Sequence, residues 1–249
     1  MKIEVDTHCH TIASGHAYST IIENAREASK KGLKMIAMTD HGPSMEGGTH
    51  KYFFMNMKVI PRKINGVYIL RGIEANIMDC DGKLDLEERY LEKMDIVLAG
   101  LHSHCFTPRS VEENTTAVIE VMKNPLVDIL VHLGNPKYPI NIDKVVEAAK
   151  EYNTHIEINN SSLTVSRKGS RKNCILLAKK AAEINAPVSL GSDAHICYDV
   201  GNFTEALKIV KKAGISPKNI LNTSTKKVVA YLKSKGREVV PAYKTSTNI

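Results

Sequence analysis

Apolar residues along this chain follow two alternating patterns, one of short β-branched runs and one of longer segments with a helical period. The short runs predict seven strands, and the longer segments predict helices. The strands are expected at Ile3–Val5, Met35–Thr39, Val67–Ile73, Ile96–Leu101, Ile129–Val131, His155–Ile158 and Pro187–Leu190. The helices are expected from a cap at Ser19 or Thr20 to Gly32, and at Leu84–Met94, Val111–Lys123, Asp143–Tyr152, Ser170–Asn185, Phe203–Lys212 and Thr225–Lys235.

Three segments fall outside this alternation. The stretch 42–63 is rich in glycine, methionine and aromatic residues without a clean period, which is typical of a lid or of a partly helical insert. Asn65-Gly66 predicts a turn before the third strand. The polar tail from Gly236 is expected to be loosely held.

Strands and helices in alternation indicate a parallel sheet covered by helices. Seven such units suit a closed or nearly closed α/β barrel better than an open sheet, and we find neither a linker nor an internal repeat. The sequence therefore predicts a single TIM-like domain over residues 1–249. In such a barrel the functional groups collect on the loops that follow the strands.

Composition narrows the class of protein without changing this fold prediction. Hydrophobic residues make up 43% of the chain and charged residues 24%, as in ordinary globular proteins. No apolar run approaches the ~18 residues of a membrane span, and the first strand begins too early to leave room for a signal peptide. The five cysteines are scattered and form no Cys-x-x-Cys motif, which favours reduced thiols in a cytoplasmic protein.

The formal net charge of +7 has two interpretations. The first, which we favour, is a lysine-rich solvated surface, and the second is attraction to anions such as phosphorylated metabolites or nucleic acid. The basic residues are spread over many helix faces as doublets, without a long basic block or interleaved aromatic residues. Nucleic acid is therefore not the expected partner.

A histidine, aspartate or glutamate follows nearly every predicted strand. The first strand leads into His8 and His10, which project to the same side because they are two residues apart. Nine potential ligands lie at strand ends or close to them: His8, His10, His16, His41, Glu74, His102, His132, Asp193 and His195. Because strand ends meet at one rim of a barrel, the pattern predicts a metal centre.

The ligand types select the class of metal. Imidazole and carboxylate without thiolate favour zinc, manganese or iron over calcium or magnesium. Nine ligands exceed the needs of one four- or five-coordinate ion, so two or three divalent ions are expected. Asp6 and Asp40, beside the ligands, are candidates to orient imidazole rings or else to make ordinary strand-end hydrogen bonds. His104 lies near His102, but His102 directly follows its strand and is the predicted ligand.

The motifs occur in a fixed order along the chain. They are Asp6-Thr7-His8-Cys9-His10, Thr39-Asp40-His41, Glu74 at a strand end, His102, His132 and Gly191-Ser192-Asp193-Ala194-His195. In this order they resemble the hallmarks of the PHP (polymerase and histidinol phosphatase) superfamily. The segments 134–138, 158–162 and 166–170 are similar to a small bacterial branch of PHP phosphatases, and the likeness covers almost the whole chain.

The resemblance implies a distorted (β/α)7 barrel that holds three zinc ions, with manganese or iron as alternatives. It implies a first ion on His8, His10 and Asp193, a second on His102 and His132 with Glu74 bridging the two, and a third on His16, His41 and His195. His50 and His155 fall outside this set and are expected on the surface or in a substrate channel.

A centre of this kind predicts a phosphoric monoester hydrolase that uses a metal-activated water, with Glu74 and Asp193 as catalytic carboxylates. Arg167 and Lys168 are candidates to bind the substrate, or else form an exposed basic pair. The expected partner is a small phosphorylated substrate. A phosphoenzyme intermediate is not expected, because no serine, cysteine or aspartate nucleophile is needed.

Three other functions share part of the pattern. A metal-dependent amidohydrolase also begins with His-x-His on a barrel, but it would leave the third histidine group without a use. A nuclease or phosphodiesterase of the same fold would hydrolyse bis-(p-nitrophenyl) phosphate faster than p-nitrophenyl phosphate. A non-catalytic metal-binding module would show no turnover with all its ions bound.

Overall fold

The computed structural model describes residues 1–238, which fold into an α/β barrel. Its strands are β1 Val5–Cys9, β2 Met35–Met38, β3 Lys63–Ile64, β4 Val67–Asn76, β5 Ile96–Gly100, β6 Ile129–Leu130, β7 His155–Asn159 and β8 Val188–Gly191. Its α-helices are α1 Ile21–Lys30, α2 Lys51–Asn56, α3 Glu88–Leu91, α4 Val111–Met122, α5 Ile142–Glu151, α6 Ser161–Thr164, α7 Ser170–Ile184, α8 Thr204–Ala213 and α9 Thr225–Ser234. Within residues 1–238, each helix lacks either the length or the apolar character needed to cross a membrane.

Seven parallel strands run around the barrel in the order β1, β2, β4, β5, β6, β7, β8. The added strand β3 pairs antiparallel with β4 across the predicted Asn65-Gly66 turn. β8 and β1 meet through an isolated bridge between Cys9 and Ala194 and through the Thr7 and Ser189 hydroxyls, 2.9 Å apart. The prediction of a nearly closed seven-stranded barrel is therefore confirmed.

The side chain of Asn222 lies between β1 and β8 and contacts the backbone of both strands. Its Nδ2 donates to Val5 O at 2.9 Å and to Leu190 O at 2.7 Å, and its Oδ1 accepts from Leu190 N at 3.1 Å. Buried backbone groups need such partners when no neighbouring strand supplies them. The side-chain amide of Asn222 therefore supplies part of the backbone hydrogen bonding that β1 and β8 do not make with each other.

The strands separate two apolar layers, because their side chains point alternately to the two faces of the sheet. The outer layer lies between the sheet and the helices. The inner layer is formed by Val5, Met35, Ala37, Leu70, Ile96, Leu98, Ile129 and Val131, and α9 covers it with Val228, Tyr231 and Leu232. The amino end of the barrel is thus closed, which leaves the carboxyl end for polar groups.

Three sequence predictions need correction. The expected helix Leu84–Met94 is reduced to α3, because the carboxylate of Asp85 accepts a hydrogen bond from Asn76 N at 2.8 Å and keeps that segment in a loop. The expected strand Val67–Ile73 continues to Asn76, so Glu74 lies within β4. Arg237 was assigned to the loosely held tail, but it is buried against Asp128, 3.0 Å away. The rest of that tail, from residue 239, lies outside the described residues.

Candidate metal centre

The nine predicted ligands collect at the carboxyl end of the barrel. His8 and Glu74 lie in β1 and β4, and the others follow strands β1, β2, β5, β6 and β8. Seven of the nine are buried, whereas His195 is half-buried and His16 is exposed. The structure therefore brings together side chains that are far apart in sequence, and it does so where water has little access.

The first group consists of His8, His10, Glu74 and Asp193. The Nε2 atoms of His8 and His10 are 3.0 Å apart, each is 3.3 Å from Glu74 Oε2, and they are 3.4 and 3.2 Å from Asp193 Oδ1. A tetrahedral zinc ion with bonds of about 2.0–2.1 Å needs ligand atoms roughly 3.3 Å apart. These four side chains fit one such ion.

The second group lies on the other oxygen of Glu74. Glu74 Oε1 is 2.9 Å from His102 Nε2 and 2.6 Å from His132 Nε2, and the two imidazole nitrogens are 3.2 Å apart. One carboxylate thus faces two sets of imidazoles with its two oxygens. That arrangement matches a carboxylate shared between two ions.

The third group differs in one member from the set that the resemblance implies. His16 and His195 approach each other with Nε2 atoms 3.1 Å apart, and the His16 ring stacks on His41. The ligand atoms that converge within 4.8 Å of one another, however, belong to His10, His41 and His195. His10 therefore belongs to both the first and the third group. The exposed His16 lies beside His41 and His195 of the third group.

Four imidazoles have a hydrogen-bond partner on Nδ1, which leaves Nε2 as the ligand atom. The pairs are His8 with Glu157 Oε1 at 2.7 Å, His10 with Ser14 Oγ at 3.0 Å, His102 with Asn76 Oδ1 at 2.6 Å, and His195 with Asp193 O at 3.0 Å. Acceptors of this kind fix the ring orientation and raise ligand basicity. The arrangement is that of histidines prepared to bind metal.

The predicted orienting roles of Asp6 and Asp40 have different outcomes. Asp40 orients His10 indirectly through Ser14. Its Oδ1 accepts a hydrogen bond from Ser14 Oγ at 2.7 Å, and the same Oγ lies 3.0 Å from His10 Nδ1. Asp6 touches no imidazole and accepts instead from the backbone N–H groups of His8, Ser192 and Gly201. For Asp6 the alternative of an ordinary strand-end hydrogen bond is therefore correct.

The two carboxylates and His132 have the charge states that metal ligands need, whereas at His8 and His10 the neighbouring carboxylates outweigh burial and raise the pKa, to about 9 for His10. Burial would raise the pKa of Glu74, but the facing histidines, led by His41 and His102, hold it well below its usual range. Burial likewise opposes ionisation of Asp193, yet His8 and Arg167 keep its pKa well below the ordinary value. Burial lowers the pKa of His132 to about 3. The carboxylates are thus anionic, and this imidazole is neutral, as metal ligands must be.

Three buried atoms in the centre have no hydrogen-bond partner among the described residues: His41 Nδ1, Glu74 Oε2 and Asp193 Oδ1. Buried polar atoms are normally paired, and each unpaired one costs about 1–3 kcal/mol. All three belong to predicted ligands. Divalent ions would satisfy them, so the residues present fit the implied metals.

The backbone is left-handed at three residues of the centre. His132, Arg167 and Asp193 have φ values of 42°, 44° and 54°. Such conformations cost residues other than glycine about 1–3 kcal/mol and cluster at functional sites. From these positions His132 contacts Glu74, and Arg167 contacts Asp193.

A cavity of about 630 Å³ opens onto the centre. His41, His102, Asp193 and His195 line it together with Arg167, whose Nη1 donates to Asp193 Oδ2 at 2.8 Å. The second predicted substrate-binding residue, Lys168, is exposed and is not among the residues that line the cavity. The structure thus separates two residues that adjoin in the sequence.

The remaining histidines have other surroundings. His104 lines the same cavity, and its Nδ1 lies 3.0 Å from Oε2 of the exposed Glu46. His50 is exposed and accepts a hydrogen bond from Tyr52 N at the start of α2. His155 was expected on the surface or in a substrate channel, but it is buried at the amino end of β7 against Tyr231. Its position at the start of a strand, and not at the end, explains the difference.

Sequence reasoning missed Glu157, Asn76 and Ser14, which contact the Nδ1 atoms of three of the predicted ligands, His8, His102 and His10. Glu157 lies between Ile156 and Ile158 in β7. An acidic residue in the middle of an apolar strand was the available signal, because such a residue must find buried partners. Asn76 follows Glu74 by two residues on the same strand, which places both on one face.

Comparison with protein families gives a match to the PHP domain over residues 6–183. A protein of Thermoanaerobacter sp. (strain X514) named probable phosphatase is 59% identical over 240 residues, covering 96% of this chain and 98% of that protein. A probable phosphatase of Clostridium botulinum (strain Hall) is 50% identical over 237 residues, covering 95% and 97%.

Comparison with solved structures agrees with the barrel. The crystal structure of histidinol phosphate phosphatase from Lactococcus lactis, in complex with zinc, L-histidinol and phosphate, matches with a TM-score of 0.59. Its sequence is 16% identical, and the match covers 87% of this chain and 95% of that one. At this identity the likeness concerns the fold.

Proposed function

This chain belongs to the PHP domain family, and from that premise we propose that it is a metal-dependent hydrolase of phosphoric monoesters. One observation carries the proposal: three groups of ligand atoms converge beside a single cavity that also presents the guanidinium of Arg167. The phosphatase names of relatives with 50–59% identity support the reaction class. In this proposal residues 1–249 are one catalytic domain.

Three divalent ions, most simply zinc, would be held by the nine side chains. The ligands are His8, His10, His16, His41, Glu74, His102, His132, Asp193 and His195, with Glu74 shared between two ions. Manganese and iron accept the same donor types. Bound there, the ions would supply a nucleophile from water at neutral pH and positive charge for the transition state.

The protein's own residues would bind and orient the substrate. Asp193 holds one nitrogen of Arg167, which fixes the guanidinium and leaves its other N–H donors for phosphate oxygens. Phosphate in this position lies beside the metal ligands. The cavity of about 630 Å³ has room for an organic group as well, in the size range of small-molecule sites.

Metal analysis followed by a substrate panel tests this proposal. We expect purified protein to carry zinc, manganese or iron, to lose p-nitrophenyl phosphate hydrolysis on chelation, and to recover it when one of these metals is restored. Faster hydrolysis of bis-(p-nitrophenyl) phosphate would indicate a phosphodiesterase or nuclease. Ammonia release from amides would indicate an amidohydrolase, and no turnover with all ions bound would indicate a binding module.

A further inference from the structure

Glu157 lies directly beneath the metal centre, in the middle of β7. It is buried, as are the groups that contact it, and its carboxylate faces the barrel interior and not the helices. Neither the cavity nor the ligand groups include it. Its carboxylate therefore acts on the centre through other residues.

Both oxygens of this carboxylate are used, and each faces N–H donors. Oε1 accepts from His8 Nδ1 at 2.7 Å. Oε2 accepts from His132 N at 2.9 Å and from Asn159 Nδ2 at 2.9 Å, and the same amide group lies 3.2 Å from Asp193 Oδ2. One side chain thus contacts ligands of both the first and the second group, and reaches Asp193 through Asn159.

The fold leaves room for this carboxylate at one position in particular. A Cβ atom on Gly191 would lie 1.8 Å from Glu157 Oε1 and 2.9 Å from His8 Cβ, so only glycine fits in β8 there. The bond to His132 N also holds a residue whose φ is 42°. Backbone strain of this kind persists only where the surroundings impose it.

We propose that Glu157 is a positioning residue that holds His8 with its proton on Nδ1 and ties the first ion group to the second. This inference rests on the proposed metal centre. A carboxylate is required, because both of its oxygens must accept. In glutamine, an NH2 group towards His8 would move the imidazole proton to Nε2 and block the ligand atom. Turned the other way, the NH2 would oppose the donors of His132 and Asn159.

The test is metal retention in Glu157→Gln. We expect loss of the first and second ions to a chelator to become about 10–100-fold easier, the usual effect of removing such a partner, while the third group keeps its ion. Asp6→Asn is the matched control, since Asp6 is equally buried and accepts from the backbone N–H groups of His8, Ser192 and Gly201, but it contacts no imidazole. Equal metal loss in both variants would reduce Glu157 to a general structural role and overturn the inference.

A spectroscopic measurement on the wild type keeps the inference testable if Glu157→Gln does not fold. In zinc-loaded wild-type protein, NMR should show a slowly exchanging Nδ1 proton on His8 that is absent in Glu157→Gln. If that proton is missing from the wild type, the inference is wrong even if the variant does not fold.

The outcomes separate this inference from the proposed function. Wild-type protein that binds no divalent ion would overturn both. Wild-type protein that binds its ions, with a Glu157→Gln variant that holds them as tightly and at the same stoichiometry, would overturn the role of Glu157 alone.

Discussion

Both ends of the barrel bury histidines and carboxylates, but the partners of these groups differ between the two ends. At the carboxyl end, Glu74 and Asp193 each keep an oxygen without a hydrogen-bond partner among the described residues. At the amino end, Asp128 also keeps one oxygen, Oδ1, without such a partner, but its Oδ2 lies 3.0 Å from a nitrogen of Arg237 and accepts from Val97 N at 2.8 Å. Buried charge needs a partner. The chain supplies an arginine to Asp128 and another to Asp193, whereas Glu74 faces imidazoles with both of its oxygens and fits an external cation.

The histidines show the same difference. His8, at the carboxyl end, lies between three carboxylates: Glu157 on Nδ1, and Glu74 and Asp193 on Nε2. His155, at the amino end, packs edge-on against Tyr231 with ring centroids 4.4 Å apart, and its Nδ1 has no hydrogen-bond partner within residues 1–238. Residue type and burial therefore do not identify a metal site, whereas convergence with carboxylates does.

The largest effect is expected from Glu74→Gln. The amide replaces the carboxylate that faces both ion groups, so we expect phosphatase activity to fall by about 10³-fold or more, roughly 4 kcal/mol of transition-state stabilisation. Asp128→Asn is the control from the other end: it should lower the melting temperature but leave activity per folded molecule unchanged. Activity that survives Glu74→Gln would remove the bridging role of Glu74.

Replacement of Arg237, the cation at the amino end, should lower the free energy of unfolding and leave the activity per folded molecule unchanged. Arg237→Met leaves Asp128 buried without its ion pair and frees the carbonyl of Met94, which Arg237 Nη1 contacts at 2.9 Å. Breaking a buried pair typically costs about 3–5 kcal/mol, and we expect a loss near the lower value. Urea unfolding measures it. A stability loss below 1 kcal/mol would show that the pair is not needed.

Arg167→Met should weaken phosphate binding at the carboxyl end. We expect kcat/KM to fall by about 30–100-fold, the equivalent of roughly 2–3 kcal/mol for charge-assisted hydrogen bonds. Lys168→Met tests the neighbouring residue, which is exposed and outside the cavity lining, and its expected effect is much smaller. Equal losses in the two variants would mean that general positive charge, and not the placement of Arg167, attracts the substrate.

The sequence predicted the barrel, and it predicted that these histidines and carboxylates meet at the carboxyl end, because both depend on local patterns. Strand periodicity identified the strands, and polar residues at their ends necessarily meet at one rim. Contacts that depend on three-dimensional packing were not predictable in this way. They include Asn222 between β1 and β8, the pairing of Arg237 with Asp128, and the use of His10 by two ligand groups.

The smallest effect concerns the pH dependence of stability. Burial lowers the pKa of His155 to about 3, against about 6.5 in the unfolded chain, so folding excludes a proton between these values. Stability from this group is complete above pH 6.5 and is lost as pH falls, by about 2 kcal/mol at pH 5. Burial raises the pKa of the nearby Asp128 to about 6, which acts in the opposite direction between pH 6 and 4.

Because these two contributions oppose each other, the wild-type pH profile alone does not report His155. The measurement is the difference in unfolding free energy between wild type and His155→Gln at pH 7 and pH 5. We expect the variant to be less stable at pH 7, since it loses the contact with Tyr231, and expect its deficit to shrink by about 2 kcal/mol at pH 5. A deficit that stays constant would mean that the fold does not keep His155 neutral.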